Sequence, residues 1–134
     1  MIWKEKLILF GENLRFLQIY DVATQQYTDI QLSYERKDKL DEKNPKRVGS
    51  ALSVWNSKVI ISGGYDTKDS SKYSDHIYLI DLDTKKLEKI GRLPEARSEH
   101  KSVISPDGSK MIITGGFVNQ GEYSDSLLCT ELFE

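Results

Sequence analysis

The side chains that could do chemistry are few and scattered. Two histidines, His76 and His100, and one cysteine, Cys129, supply all the imidazole and thiol groups. A histidine/cysteine metal centre needs more ligands than that, so no metal is expected. Ser98-Glu99-His100 sets a hydroxyl, an acid and an imidazole side by side. On a strand, however, adjacent side chains face opposite sides, so Glu99 cannot orient His100 as a base. No serine stands in a G-x-S-x-G setting, which would mark a nucleophile on a strand-to-helix turn. His100 therefore reads as a packing residue. Cys129, inside the apolar stretch 127–130, reads as a small hydrophobe. The expectation is a protein without catalytic residues and without a cofactor.

The elements that position these residues are repeated. Three segments align without gaps: Trp3 to Gly11 (WKEKLILFG), Trp55 to Gly63 (WNSKVIISG) and Asp107 to Gly115 (DGSKMIITG). Lys6, Lys58 and Lys110 stand 52 residues apart, as do Gly11, Gly63 and Gly115. Tyr73 to Leu82 (YSDHIYLIDL) matches Tyr123 to Leu132 (YSDSLLCTEL) at an offset of 50, and Tyr20 to Ile30 matches Ile80 to Ile90 at 60. Unequal offsets place the length variation in loops between repeated strands. Val59–Ile61 and Met111–Ile113 are unbroken apolar runs ended by glycine, the pattern of strands buried on both faces. Asn56-Ser57 and Pro106-Asp107-Gly108 carry turn chemistry between apolar segments. No window has helical apolar spacing, so the fold class is all-β.

Together these residues resemble the kelch repeat, a four-stranded blade of about 50 residues with a glycine doublet ending its second strand. Gly63-Gly64 and Gly115-Gly116 match the doublet; Asp81, with Asp21 as its earlier counterpart, matches the turn after the third strand. Pro45-Lys46-Arg47 and Pro94-Glu95-Ala96-Arg97, with His100, resemble the segment that opens a blade. The first repeat departs from the pattern with Gly11-Glu12, and Tyr27 and Leu87 stand where tryptophan is usual. The doublets have an architectural reason: blades crowd toward the axis, where glycine permits close approach and positive φ. A phosphate loop would need a helix behind the glycines, and none is expected.

The resemblance implies kelch-like β-propeller blades of four antiparallel strands in an incomplete propeller. Residues 1–31 give a partial first blade, 45–91 a complete one and 94–134 a third lacking its fourth strand, with 32–44 a charged inter-blade loop. At about 50 residues per blade the chain holds fewer than three, against roughly four to eight in a propeller. Other copies, another chain or further sequence would complete the ring. The resemblance places partner contacts in loops between strands and blades, making Tyr65, Tyr73, Phe117, Asn119 and Tyr123 candidate anchors, since aromatics in polar loops suit interfaces. Tyr73 and Tyr123 equally suit a repeated architectural role. Arg47 and Arg97 could grip a carboxylate-bearing partner or pair with acids to fix blade edges.

Composition narrows the classes further. Nineteen basic and 21 acidic residues leave a formal charge of −2, without the basic excess of a nucleic-acid or membrane surface. A lone cysteine permits no internal disulfide and suits a cytoplasmic setting. The expected function is a non-catalytic protein-interaction module of kelch-repeat type. The resemblance also implies two alternatives: part of a kelch-like carbohydrate enzyme, of sugar-acid epimerase or oxidase type, or a propeller piece that binds actin.

Overall fold

The structure, a computed structural model, describes residues 2–10, 16–34, 47–69, 72–119, 122–124 and 127–131. Gly11, Pro45 and most of the 32–44 loop lie outside these residues, and the side chains of Asn119 and Cys129 are likewise not described. Every regular element among the described residues is a strand. In chain order they begin with β1 (Ile2–Trp3), β2 (Lys6–Leu9), β3 (Phe16–Asp21) and β4 (Gln26–Gln31), which pair antiparallel in that order as sheet 1. After β5 (Ser33–Tyr34) and β6 (Arg47–Val48) come β7 (Ala51–Trp55), β8 (Lys58–Ser62), β9 (Tyr65–Asp66), β10 (His76–Asp81) and β11 (Lys86–Arg92). Strands β7, β8, β10 and β11 form sheet 2, ordered like sheet 1. Then β12 (Lys101–Ile104), β13 (Lys110–Thr114), β14 (Phe117–Asn119), β15 (Glu122–Tyr123) and β16 (Leu127–Glu131) follow. Of these, β12, β13 and β16 form sheet 3.

The repeat seen in the sequence is a repeat of turns as well as strands. Lys4-Glu5 and Asn56-Ser57 both adopt positive φ, the backbone of the tight hairpin turn that matches strand twist. At the next turn along, Asp21 Oδ1 accepts from the backbone N–H of Ala23 and Thr24, and Asp81 Oδ1 does the same for Asp83 and Thr84. These hydrogen bonds, with Lys58 3.5 Å away, hold the Asp81 carboxyl below its ordinary pKa. An aspartate there closes the turn that reverses the chain into the fourth strand.

Apolar side chains fill the two spaces between sheets. Ile8, Leu17 and Ile19 of sheet 1 pack on Val59, Ile61, Tyr78, Ile80 and Leu87 of sheet 2. The opposite face of sheet 2, through Ile60, Ile77 and Leu79, packs on Met111 and Ile113 of sheet 3. Sheet 2 is thus buried on both faces, as its unbroken apolar runs require. The first strands of sheets 2 and 3, β7 and β12, run close together, and the Ser53 hydroxyl bonds the Ser102 carbonyl at 2.9 Å. Closeness of first strands is the convergence of blades toward a common axis.

Three expectations need correction. Met111–Ile113 is not buried on both faces: Ile112 is 38% exposed, because no described sheet covers that side of sheet 3. Ser33–Tyr34, expected within a loop, pairs in parallel with Lys86 and Leu87 at the edge of sheet 2. Residues 98–100 are not a regular strand, since Glu99 has φ of 57°. Glu99 is exposed and His100 buried all the same, but a turn rather than strand alternation separates them.

Candidate functional site

Each glycine doublet launches a short hairpin bearing an aromatic pair. After Gly63-Gly64, Tyr65 bridges Tyr73, with ring centroids 6.4 Å apart. After Gly115-Gly116, Phe117 pairs with Tyr123, and their rings approach to 4.2 Å at 36°. The first three of these aromatics are half-buried, whereas Tyr123 is 77% exposed. Tyr73 and Tyr123, alike in sequence, both close their hairpins but differ in exposure, and only Tyr123 stands open to solvent.

The blade-opening segment 93–100 ties the two hairpins into one surface. The Gly64 N–H donates to the Arg97 carbonyl at 2.8 Å, and Arg97 N–H donates to Ser74 O at 3.2 Å. One residue on, Ser98 and Phe117 exchange backbone bonds of 2.8 and 3.0 Å. This contact needs the doublets. A Cβ on Gly63 would strike the Arg97 carbonyl and the His100 ring, and one on Gly116 would strike the Ser98 carbonyl. Both glycines also have positive φ, at 66° and 88°, so a side chain is excluded twice over.

Arg47 and Arg97 occupy equivalent places but do different things. Arg47 lies on β6, whose partner β9 brings Asp66 to 4.0 Å from its guanidinium. The position equivalent to Asp66 in the next repeat is Val118. Arg97 is 0% exposed; its Nη1 donates to the Gly115 carbonyl at 3.0 Å and its Nη2 lies 3.8 Å from Glu95. The expectation that Arg97 could grip a partner's carboxylate is corrected: it is enclosed by its own chain and secures the second doublet. Its repetition at a spacing of 50 was visible, but burial was not.

Sequence reasoning also missed the contact of His100 with Ser62. His100 Nε2 and Ser62 Oγ lie 2.8 Å apart between sheets 2 and 3. Burial, then the charges of Arg97 and Lys101, push the imidazole pKa down to about 4. The pair has the elements of a nucleophile and a base, yet both residues are sealed, and Nδ1 has no hydrogen-bond partner to orient the ring. Its work is to join blades. His76, the other imidazole, bonds Tyr78 Oη at 2.9 Å and lies 3.7 Å from Asp75; burial is the main cause of its lowered pKa. Among the described residues no three metal-ligating side chains cluster.

Stacked antiparallel sheets that converge on their first strands, with glycine-pinched loops between second and third strands, define blades of β-propeller type. Comparison with known proteins agrees with this architecture: residues 46–94 match the Kelch motif. A "Kelch repeat-containing protein" of Arthroderma benhamiae is 30% identical over 77 residues, 58% of this chain. "Kelch-like protein 21" of Homo sapiens and of Bos taurus is 38% identical over 66 residues, 49% of this chain. In each case the match spans 11% of the relative's length. Residues 46–94 thus carry a Kelch motif, and the chain is similar to kelch-repeat proteins over about half of its length.

Proposed function

We propose that this chain is a non-catalytic protein-interaction module whose partner binds the face carrying the two aromatic hairpins. One observation carries the reading: Tyr123 stands 77% exposed on a hairpin that is otherwise fixed by its pairing with Phe117. An aromatic held on a rigid support gives contact area at little entropic cost, which is what interface anchors supply. Tyr65 and Tyr73, with the Arg47–Asp66 pair beside them, extend that face to the neighbouring blade. The kelch-like relatives favour a protein as the kind of partner. The sealed Ser62–His100 pair favours no enzymatic alternative.

The test is selection of peptide ligands from a random library displayed on phage. Selected peptides should bind the wild-type chain at micromolar Kd, and Tyr123→Ser should weaken them at least tenfold. Val22→Ser, an exposed change at the distant turn after β3, should leave binding intact. Peptides that bind both variants equally would refute the assignment of the face.

A further inference from the structure

Glu99 stands where the fold asks for glycine. Arg47 and Arg97 are 50 residues apart, so two residues on, Gly49 and Glu99 are equivalent in the two blade-opening segments. Both have positive φ, at 71° and 57°. Glycine adopts that backbone freely, and a residue with a Cβ only under strain. The two meet at the joint between sheets 2 and 3, where the Glu99 N–H donates to the Gly49 carbonyl at 2.8 Å. A Cβ on Gly49 would come to 2.9 Å from Glu99 Oε1. The carboxylate therefore lies over the bare glycine of the preceding repeat, on an exposed residue. Joining the blades does not need this side chain, because the bond to Gly49 is made by backbone alone.

The charge of Glu99 is also unanswered. Asp66, Asp75 and Glu95 each have a guanidinium within 4.0 Å, from Arg47, Arg92 and Arg97. Glu99 has no such counter-ion among the described residues. Arg97, two positions away, is buried and turned to the Gly115 carbonyl. Described residues flank the carboxylate toward both sheets: Gly49 on one side, and on the other Phe117, which exchanges backbone bonds with the adjacent Ser98. An exposed, unpaired anion between the two aromatic hairpins sets the sign of what can dock there.

We infer that the partner places a basic side chain, arginine or lysine, against Glu99. The inference rests on the proposed interaction face and names the chemistry of what binds it. Carboxylates pair with cationic side chains through charge-assisted hydrogen bonds, two in parallel for arginine. Complementary charge across an interface selects the partner and fixes its register.

Peptides selected on the wild-type chain from a random phage library are the probes. They should share a basic residue, and Glu99→Gln should weaken them by roughly tenfold or more. Replacing that basic residue with glutamine should weaken binding to wild type as much, yet cost Glu99→Gln little, as for two groups in direct contact. Glu99→Lys should recover binding to a peptide that carries glutamate in place of its basic residue. Glu88→Gln, an exposed change on β11, should bind as wild type does. Glu99→Gly separates binding from structure: its urea midpoint should equal or exceed that of wild type while binding falls. A midpoint well below wild type would show Glu99 to be structural and overturn the inference. Peptides weakened by Tyr123→Ser but not by Glu99→Gln would also overturn it, and would leave the interaction face standing. Peptides indifferent to both substitutions, or a library that yields no ligand, would remove both readings.

Discussion

Acid should loosen the joint between sheets 2 and 3 before it affects the rest of the fold, because His100 is held neutral there. Its imidazole is 2% exposed, bonded to Ser62 through Nε2 and close to the Arg97 and Lys101 charges. The folded pKa is about 4, whereas the unfolded chain titrates near 6.5. Between those values the unfolded state binds a proton that the native state does not, so stability rises with pH across the window. The contribution is fully present above pH 6.5 and is lost as pH falls toward 4. At about 1.4 kcal/mol per pKa unit, the loss is about 3 kcal/mol. His76, also lowered by burial, adds in the same direction. The assay is urea denaturation at half-unit steps from pH 7.5 to 4, on wild type, His100→Gln and His76→Gln. Wild type should lose about 3 kcal/mol between pH 6.5 and 4, His100→Gln should be weaker at neutral pH but much flatter, and His76→Gln should keep most of the slope. A slope that survives His100→Gln unchanged would refute the account of that joint.

The other expectations concern single contacts. Gly63→Ala places a Cβ against the Arg97 carbonyl at φ of 66° and should cost at least about 1–3 kcal/mol by urea denaturation. Arg97→Met removes the donor to the part-buried Gly115 carbonyl, and loss of that charge-assisted hydrogen bond should cost about 1 kcal/mol. The same variant should raise the His100 pKa, measured by NMR titration, because a nearby positive charge is gone. Asp81→Ala leaves two turn N–H groups unpaired and should cost about 1 kcal/mol, while Asp81→Asn should recover most of it.

What the sequence made legible was whatever repeats. The 52-residue spacing of Lys58-to-Gly63 and Lys110-to-Gly115 reports strands, turns and doublets, because each blade solves the same packing problem. Asp21 and Asp81 were readable as turn residues for the same reason. What escaped is set by the neighbours each repeat happens to have. Ile60 and Ile112 look alike in sequence, but only Ile60 has a described blade on its side. Arg47 and Arg97 share a spacing, yet replacement of Asp66 by Val118 removes the acid that Arg47 leans on. Arg97 turns to a carbonyl instead. The Ser62–His100 contact joins residues 38 apart, one ending β8 and the other just before β12, and no local pattern encodes such a pair.

The most direct test of the proposed interaction face is a map of amide shifts on binding. A peptide selected on the wild-type chain, titrated into labelled protein, should move the amides of Tyr65, Tyr73, Phe117 and Tyr123 and their hairpin neighbours. The turns at Asn56-Ser57 and Asp81-Thr84 should stay still. Shifts centred on those turns, or on the outer faces of sheets 1 and 3 with the aromatic hairpins unmoved, would contradict the account.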